Sequence, residues 1–145
     1  MIKQNEYKSE YLVKPEEIIH PEKYYRPWGY YEVLAEGPGY KVKRLVVDPG
    51  KRTELEWHEK REEYWHVVEG FGEITLEHHD WLPEIHDTEE LCNILTGPRS
   101  IMMIEKEQKH RINNIDTEPL VVIEVQTYDP ADPGGEDDVH RVEDE

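Results

Sequence analysis

The sequence predicts an all-β chain folded as a sandwich or jelly-roll-like barrel, and three observations carry that expectation. Short runs rich in β-branched and aromatic residues recur along it, Gly, Pro and polar turn signals separate them, and no long stretch keeps a 3.6-residue apolar period. Antiparallel strands at this pitch build sandwiches and barrels.

Taken in order, residues 1–22 are polar apart from Ile18-Ile19 and read as an N-terminal arm or edge strand. Strand runs follow at 30–36 and 40–47, split by Gly37-Pro38-Gly39 and closed by Asp48-Pro49-Gly50. The next runs are 53–58, 63–70 and 71–79, with a polar turn at Glu59-Lys60-Arg61 between the first two. After a longer break over 80–90 come 91–95, 100–107, 110–114 and 119–126, which places the main domain at 23–127. Residues 128–145 are rich in Asp, Glu, Pro and Gly, the composition of a disordered acidic tail, with Arg141 inside it.

Length and charge bound the function. A chain of 145 residues closes one core and no more. Its net charge of −17 repels a polyanion, and no Lys/Arg stripe with interleaved aromatics interrupts it, so nucleic acid is not an expected partner. A single phosphate needs only two or three local cations, which an acidic protein can supply in a cleft. No apolar run approaches the roughly 20 residues of a membrane span and the N-terminus lacks a secretory apolar core, so the expected setting is cytoplasmic, away from membranes. Cys92, the only cysteine, reads as a half-buried thiol in a strand.

The most informative stretch runs from Pro49 to Gly70. Within it Glu56 and His58 stand two apart, and Glu63 follows after a turn that can reverse the chain. Positions two apart in a strand share a face, so Glu56 and His58 can point together into a barrel, with Glu63 beside them on the next antiparallel strand. His110, with Asn114 four residues on, offers a fourth ligand. Imidazoles with carboxylates suit Zn, Mn, Fe or Co, Zn first. A lone His or Glu in a strand is ordinarily solvated or hydrogen-bonded; the whole spacing, both glycines included, coincides with the paired motifs of cupins.

The resemblance extends beyond the ligands. Arg26-Pro27-Trp28-Gly29, the stretch Gly39 to Gly50, the run Arg61 to Gly70, Lys109 to Asn114, Pro119 to Gln126 and the terminal Gly135 to Asp144 resemble the cupin domain of type II mannose-6-phosphate isomerases, which often stands behind a mannose-1-phosphate guanylyltransferase domain. The resemblance implies a double-stranded β-helix, a divalent metal on Glu56, His58, Glu63 and His110, and interconversion of mannose 6-phosphate and fructose 6-phosphate. The chain departs from the family pattern at Glu56, where Gln is usual, at Glu59 and Lys60 within a usual His run, at Tyr64 for His, and at Glu105-Lys106-Glu107 for Pro-x-Gly. Two carboxylates would leave a divalent ion neutralised and a weaker Lewis acid.

An aldose–ketose isomerase must stabilise an enediolate and bind a phosphate. The blocks that carry the resemblance nominate Arg141 first and Lys109 as catalytic cations, and Arg26, Lys43, Arg44, Glu124 and Gln126 for the phosphorylated hexose; the acidic segment 128–145 can fold back over the barrel mouth and bring Arg141 near the metal. Lys43 and Arg44 alternate along one strand, so only one can face the cavity. Glu124 and Gln126 share a face with Leu120 and Val122, which points either inward near the metal or, on an edge strand, toward solvent. Arg61 and Glu62 can orient groups behind the ligands, Trp57, Tyr64 and Trp65 pack at the core or rim, and His66, His78, His79 and His86 read as surface residues. A homodimer paired through sheet edges, with the N-terminal arm crossing over, is expected. The competing function is a non-catalytic cupin that binds a sugar or sugar phosphate, or partners a separate guanylyltransferase; a third keeps the metal for oxygenase or epimerase chemistry.

Overall fold

Alternating side chains and Gly/Pro turns lay the predicted runs down as strands throughout residues 21–78 and 91–142, the part of the chain that this computed structural model describes. In chain order these are β1 Tyr24–Arg26, β2 Gly29–Gly37, β3 Tyr40–Val47, β4 Glu56–Trp57, β5 Arg61–Glu69, β6 Gly72–Glu77, β7 Leu91–Thr96, β8 Ile101–Ile104, β9 His110–Asn114, β10 Leu120–Tyr128 and β11 His140–Arg141. Strands β2 to β10 answer to the sequence runs; β1 and β11, of three and two residues, were not among them. The only helical element among the described residues is a 3-10 turn at Gly135–Asp137, and none is long and apolar enough to cross a membrane. Most of the N-terminal arm, and His79 and His86, lie outside the described residues.

Two antiparallel sheets face each other. One has the order β1-β2-β3-β10-β5-β8 and the other β11-β4-β9-β6-β7. Cross-strand rows show how the interior divides. Val122 lies opposite Leu45 and Val67, but the next inward row is Lys43, Glu124 and Trp65, and the one after it contains Gln126 and Glu63. In the second sheet Ile74 faces Ile112, and Leu76 faces His110. One end of the barrel is thus a closed apolar core of Leu45, Val47, Val67, Ile74, Ile112, Leu120 and Val122, and the other end is polar yet buried. The glycines that bracket the ligand stretch have positive φ, 72° at Gly50 and 87° at Gly70. A Cβ on Gly70 would also meet the Pro119 carbonyl oxygen at 2.5 Å, so the turn out of β5 excludes larger residues.

The turn at Glu59-Lys60 differs from the expected hairpin. It carries the chain from β4 in the five-stranded sheet to β5 in the six-stranded one, so Glu63 faces Glu56 and His58 across the barrel rather than from the neighbouring strand. The polar turn residues permit a reversal, but they do not specify which sheet the chain rejoins. His78 is also corrected: it is 8% exposed, buried at the end of β6, because the strand's inward parity of Ile74 and Leu76 continues to it. Cys92 sits half-buried on β7 with its thiol toward the Leu76 carbonyl at 3.3 Å.

Candidate functional site

Glu56 on β4 and His110 on β9 are direct cross-strand partners, and His58 follows one residue after β4. One ligand atom from each of these three lies within 4.8 Å of the others. Glu63, from the opposite sheet, closes the group: its Oε1 is 3.1 Å from His110 Nε2 and its Oε2 is 3.5 Å from His58 Nε2. Each imidazole is oriented from behind by a backbone carbonyl, His58 Nδ1 by Asp138 at 2.7 Å and His110 Nδ1 by Gln108 at 2.8 Å. A carbonyl only accepts, so each ring donates its Nδ1–H there and turns Nε2 toward the carboxylates.

The electrostatics follow from that geometry. Burial would raise the Glu63 carboxyl, but the hydrogen bond and charge of His110, with His58 and Arg61 adding to them, hold it well below the usual carboxylate range. Burial opposes a charge on His110 as well; the bond to Glu63 outweighs it and raises the imidazole above its ordinary value. His58 is pushed down to about 4, by burial first, against the pull of Glu63. Glu56 is raised, chiefly by burial, with His110 opposing. Two Nε2 atoms and two carboxylates converging in a buried space form a donor set that a divalent cation satisfies, and it fits Zn, Mn, Fe or Co. Glu56, His58, Glu63 and His110 would hold it. Asn114 takes no part: its amide bonds the Val47 and Glu118 carbonyls at 2.9 and 2.8 Å and fixes the loop after β9.

Two guanidinium groups change the charge balance expected from sequence. Arg61 Nε donates to Glu63 Oε2 at 3.0 Å, with another of its nitrogens 3.3 Å from His58 Nε2. Arg141 pairs with Glu54 and lies 3.8 Å from Glu56. The two carboxylates that would neutralise a divalent ion are therefore themselves offset, and the site with its ion stays positive.

The C-terminal segment is built against this ligand group. Strand β11 pairs with β4, His140 opposite Trp57 and Arg141 opposite Glu56. The His140 and Trp57 rings stack at 4.1 Å. Asp138, 6% exposed, accepts the backbone N–H groups of Glu59 and Lys60, both at 2.9 Å, while its carbonyl orients His58. The acidic composition of 128–145 concealed this, because the sequence contains nothing that separates Asp138 from its solvated neighbours. Asp138→Ala is expected to lower divalent-metal affinity about 10- to 100-fold, read by competition with a chelating dye, since it releases the turn that carries His58.

A cavity of about 410 Å³ opens in front of the ligands. Arg26, Lys43, Arg61 and Arg141 line it together with Tyr24, Trp28, Tyr31, Trp65 and Glu124. Tyr24 and Tyr31 stack at 4.9 Å, Lys43 Nζ sits 4.3 Å over the Tyr31 ring, and the Arg26 guanidinium is 5.1 Å from it. Of the residues nominated from sequence, Arg26, Lys43, Glu124 and Arg141 reach this cavity, and Gln126 is buried behind it, donating to Glu124 at 2.9 Å. Arg44 and Lys109 are not brought there. Arg44 points to the other face and pairs with Glu32 at 2.9 Å, and Lys109 pairs with Glu77 at 3.8 Å, because each precedes or follows an inward residue by one.

Glu124 is the further group of note. Burial first, and then the charge of Glu63, push its carboxyl up to about 7, against Lys43 and Arg61. A carboxyl with a raised folded pKa contributes stability that is full below its unfolded value and is lost as pH rises through about 7. Glu124→Gln removes this titration. In metal-free protein the variant should gain on the native chain by roughly 3 kcal/mol between pH 4.5 and pH 8, measured by urea unfolding.

Comparison with known proteins agrees with the fold. The family model described as mannose-6-phosphate isomerase C-terminal matches residues 14–144. Alginate biosynthesis protein AlgA of Pseudomonas aeruginosa is 36% identical over 114 residues, covering 79% of this chain and 20% of that protein. Xanthan biosynthesis protein XanB of Xanthomonas campestris pv. campestris is 38% identical over 114 residues, 79% of this chain and 21% of its own. A mannose-1-phosphate guanylyltransferase of Sinorhizobium fredii is 34% identical over 115 residues, 79% and 19%. The chain therefore spans about a fifth of the length of these curated relatives. Among solved structures, capsular polysaccharide assembling protein CapF of Staphylococcus aureus superposes with a TM-score of 0.70 at 20% identity, over 90% of this chain and 37% of that one. Oxalate decarboxylase of Lactobacillus farciminis gives 0.62 at 20% identity, over 76% and 31%. These two likenesses speak to the fold, which is a cupin double-stranded β-helix. With the match extending over nearly the whole chain, the protein belongs to the mannose-6-phosphate isomerase C-terminal family of cupin domains.

Proposed function

We propose that the chain is a metal-dependent aldose–ketose isomerase that interconverts mannose 6-phosphate and fructose 6-phosphate, with zinc as the preferred ion. The observation that carries this reading is the makeup of the cavity: a metal-ligand group on one wall, an aromatic wall of Tyr24, Tyr31 and Trp28, and four cations around it in a protein of net charge −17. A volume of about 410 Å³ is of the size that takes a small ligand such as a hexose phosphate. Bound on Glu56, His58, Glu63 and His110, a divalent ion supplies a Lewis acid for the enediolate oxygens.

The remaining work falls to the chain. Trp28 offers an apolar face to the sugar's C–H groups. Arg26 and Lys43, held against Tyr31, are one candidate seat for the phosphate, and Arg141 at the mouth is the cation best placed for the reacting oxygens. Membership in the family and relatives named for alginate and xanthan biosynthesis support a sugar-phosphate substrate. The test is purified, zinc-loaded protein with either sugar phosphate, followed by NMR. Appearance of the other isomer, abolished by a chelator and restored by metal, is the expected result. Saturable binding of the sugar phosphate with no turnover would replace this reading with that of a binding module.

A further inference from the structure

We propose that Glu124 carries the proton between C2 and C1 of the open-chain sugar, an inference that rests on the isomerase reading above. The first ground is its position. Glu124 lies at the centre of the row Lys43–Glu124–Trp65, where the inward face of the six-stranded sheet changes from apolar core to cavity wall, one row from the ligand Glu63.

The second ground is how its carboxyl is held. Oε1 accepts the Trp65 indole N–H at 3.0 Å, and Oε2 accepts the Gln126 amide at 2.9 Å. Each oxygen is anchored by one neutral donor and keeps a lone pair for other use. Trp65 in turn packs its ring edge-on against His110, with centroids 5.4 Å apart. The carboxyl is thereby fixed relative to the ligand group through one rigid, buried indole, which is the preorganisation that proton transfer requires.

Elimination is the third ground. Among the described residues, four carboxylates line the cavity: Glu54, Glu56, Glu63 and Glu124. Glu56 and Glu63 belong to the ligand group, and Glu54 pairs with Arg141 at the mouth. Both imidazoles of the site have Nδ1 bound to a carbonyl and Nε2 committed to the ligand group. Glu124 is the carboxylate left to exchange a proton with substrate.

The step balances without a co-reactant. The Glu124 carboxylate takes the proton from C2; the C2–H electron pair forms the C1=C2 bond, and the carbonyl π pair moves onto O1. The O2–H proton then passes to O1, the electron pair left on O2 forms the C2=O bond, and the C1=C2 pair takes the proton back from Glu124 at C1. Aldose becomes ketose, and Glu124 ends as it began.

The experiment compares native protein with Glu124→Gln, in D2O, with mannose 6-phosphate and metal supplied. Gln keeps the shape and an acceptor for the Trp65 N–H, and the Gln126 amide can rotate to receive its NH2 group. The expected result is a native enzyme that washes deuterium into C1 of the product. The variant should keep its metal content and KM and unfold no more readily than the native enzyme, while kcat falls about 10²- to 10⁴-fold, with Glu124→Asp recovering part of the loss. An active native enzyme with a variant that turns over within about threefold of it overturns the inference alone and leaves the isomerase reading standing. Loss of kcat in step with metal content or folding overturns it in favour of a structural role. A native protein without turnover on either sugar phosphate overturns the isomerase reading, and the inference falls with it.

Discussion

His110→Ala is expected to lower divalent-metal affinity more than about 100-fold and to remove the thermal stabilisation that metal gives the native protein. His110 is the pivot of the site: it is the cross-strand partner of Glu56, it bonds Glu63 at 3.1 Å, and its ring supports Trp65. Truncation removes one Nε2 ligand and leaves the Glu63 carboxylate without its main partner, so the donor set loses both an arm and its geometry. At a free metal concentration 100 times the dissociation constant, linkage stabilises the native fold by about 2.7 kcal/mol. For a domain of this size that raises the melting temperature by roughly 8 °C. The variant should show no such rise, and elemental analysis after dialysis should find it metal-poor. A variant that still binds one equivalent tightly would remove His110 from the ligand group.

Arg141→Ala is expected to lower isomerase turnover by about two to three orders of magnitude, with metal content and melting temperature unchanged. Arg141 is 60% exposed at the side chain, and pairing between exposed charges contributes little to stability, so its removal should cost the fold almost nothing. Its value lies in position. Strand β11 pins it opposite Glu56, and its contact with Glu54 holds a permanent forked cation over the cavity mouth. Loss of metal together with loss of activity would show instead that Arg141 acts by holding Glu56.

The strands were legible because turn residues punctuate them: Gly37-Pro38-Gly39 and Asp48-Pro49-Gly50 bound β3 without ambiguity. Strand parity made some of the site legible too. Glu124 follows Leu120 and Val122 onto the inward face, whereas the nomination of Lys109 failed against that same parity, which sends it outward because its neighbour His110 points in. Lys43 and Arg44 could not be separated this way, since Val42, Leu45, Val46 and Val47 place apolar side chains at both parities. The four candidate ligands were grouped from their spacing and resemblance, and the structure brings them together, but their arrangement across two sheets was not legible. That depends on which sheet the chain joins after Lys60, a matter of long-range pairing with β10 and β8.

Composition alone hid the C-terminal segment most completely; only the family-like block Gly135 to Asp144 pointed to a fold back over the barrel mouth that brings Arg141 to the site. Composition describes 128–145 as a tail, yet β11, the Asp138 turn contacts and the Trp57–His140 stack make it part of the site. Each of these contacts is local in space and about 80 residues distant in sequence, so no window along the chain reports it.

The most direct test is crystallographic. Crystals grown with zinc and measured at its absorption edge should show one strong anomalous peak in contact with His58 Nε2, His110 Nε2 and the carboxylates of Glu56 and Glu63. A peak at the more exposed cluster of Glu59, Asp138 and His140 instead, or none within the barrel, would contradict the account.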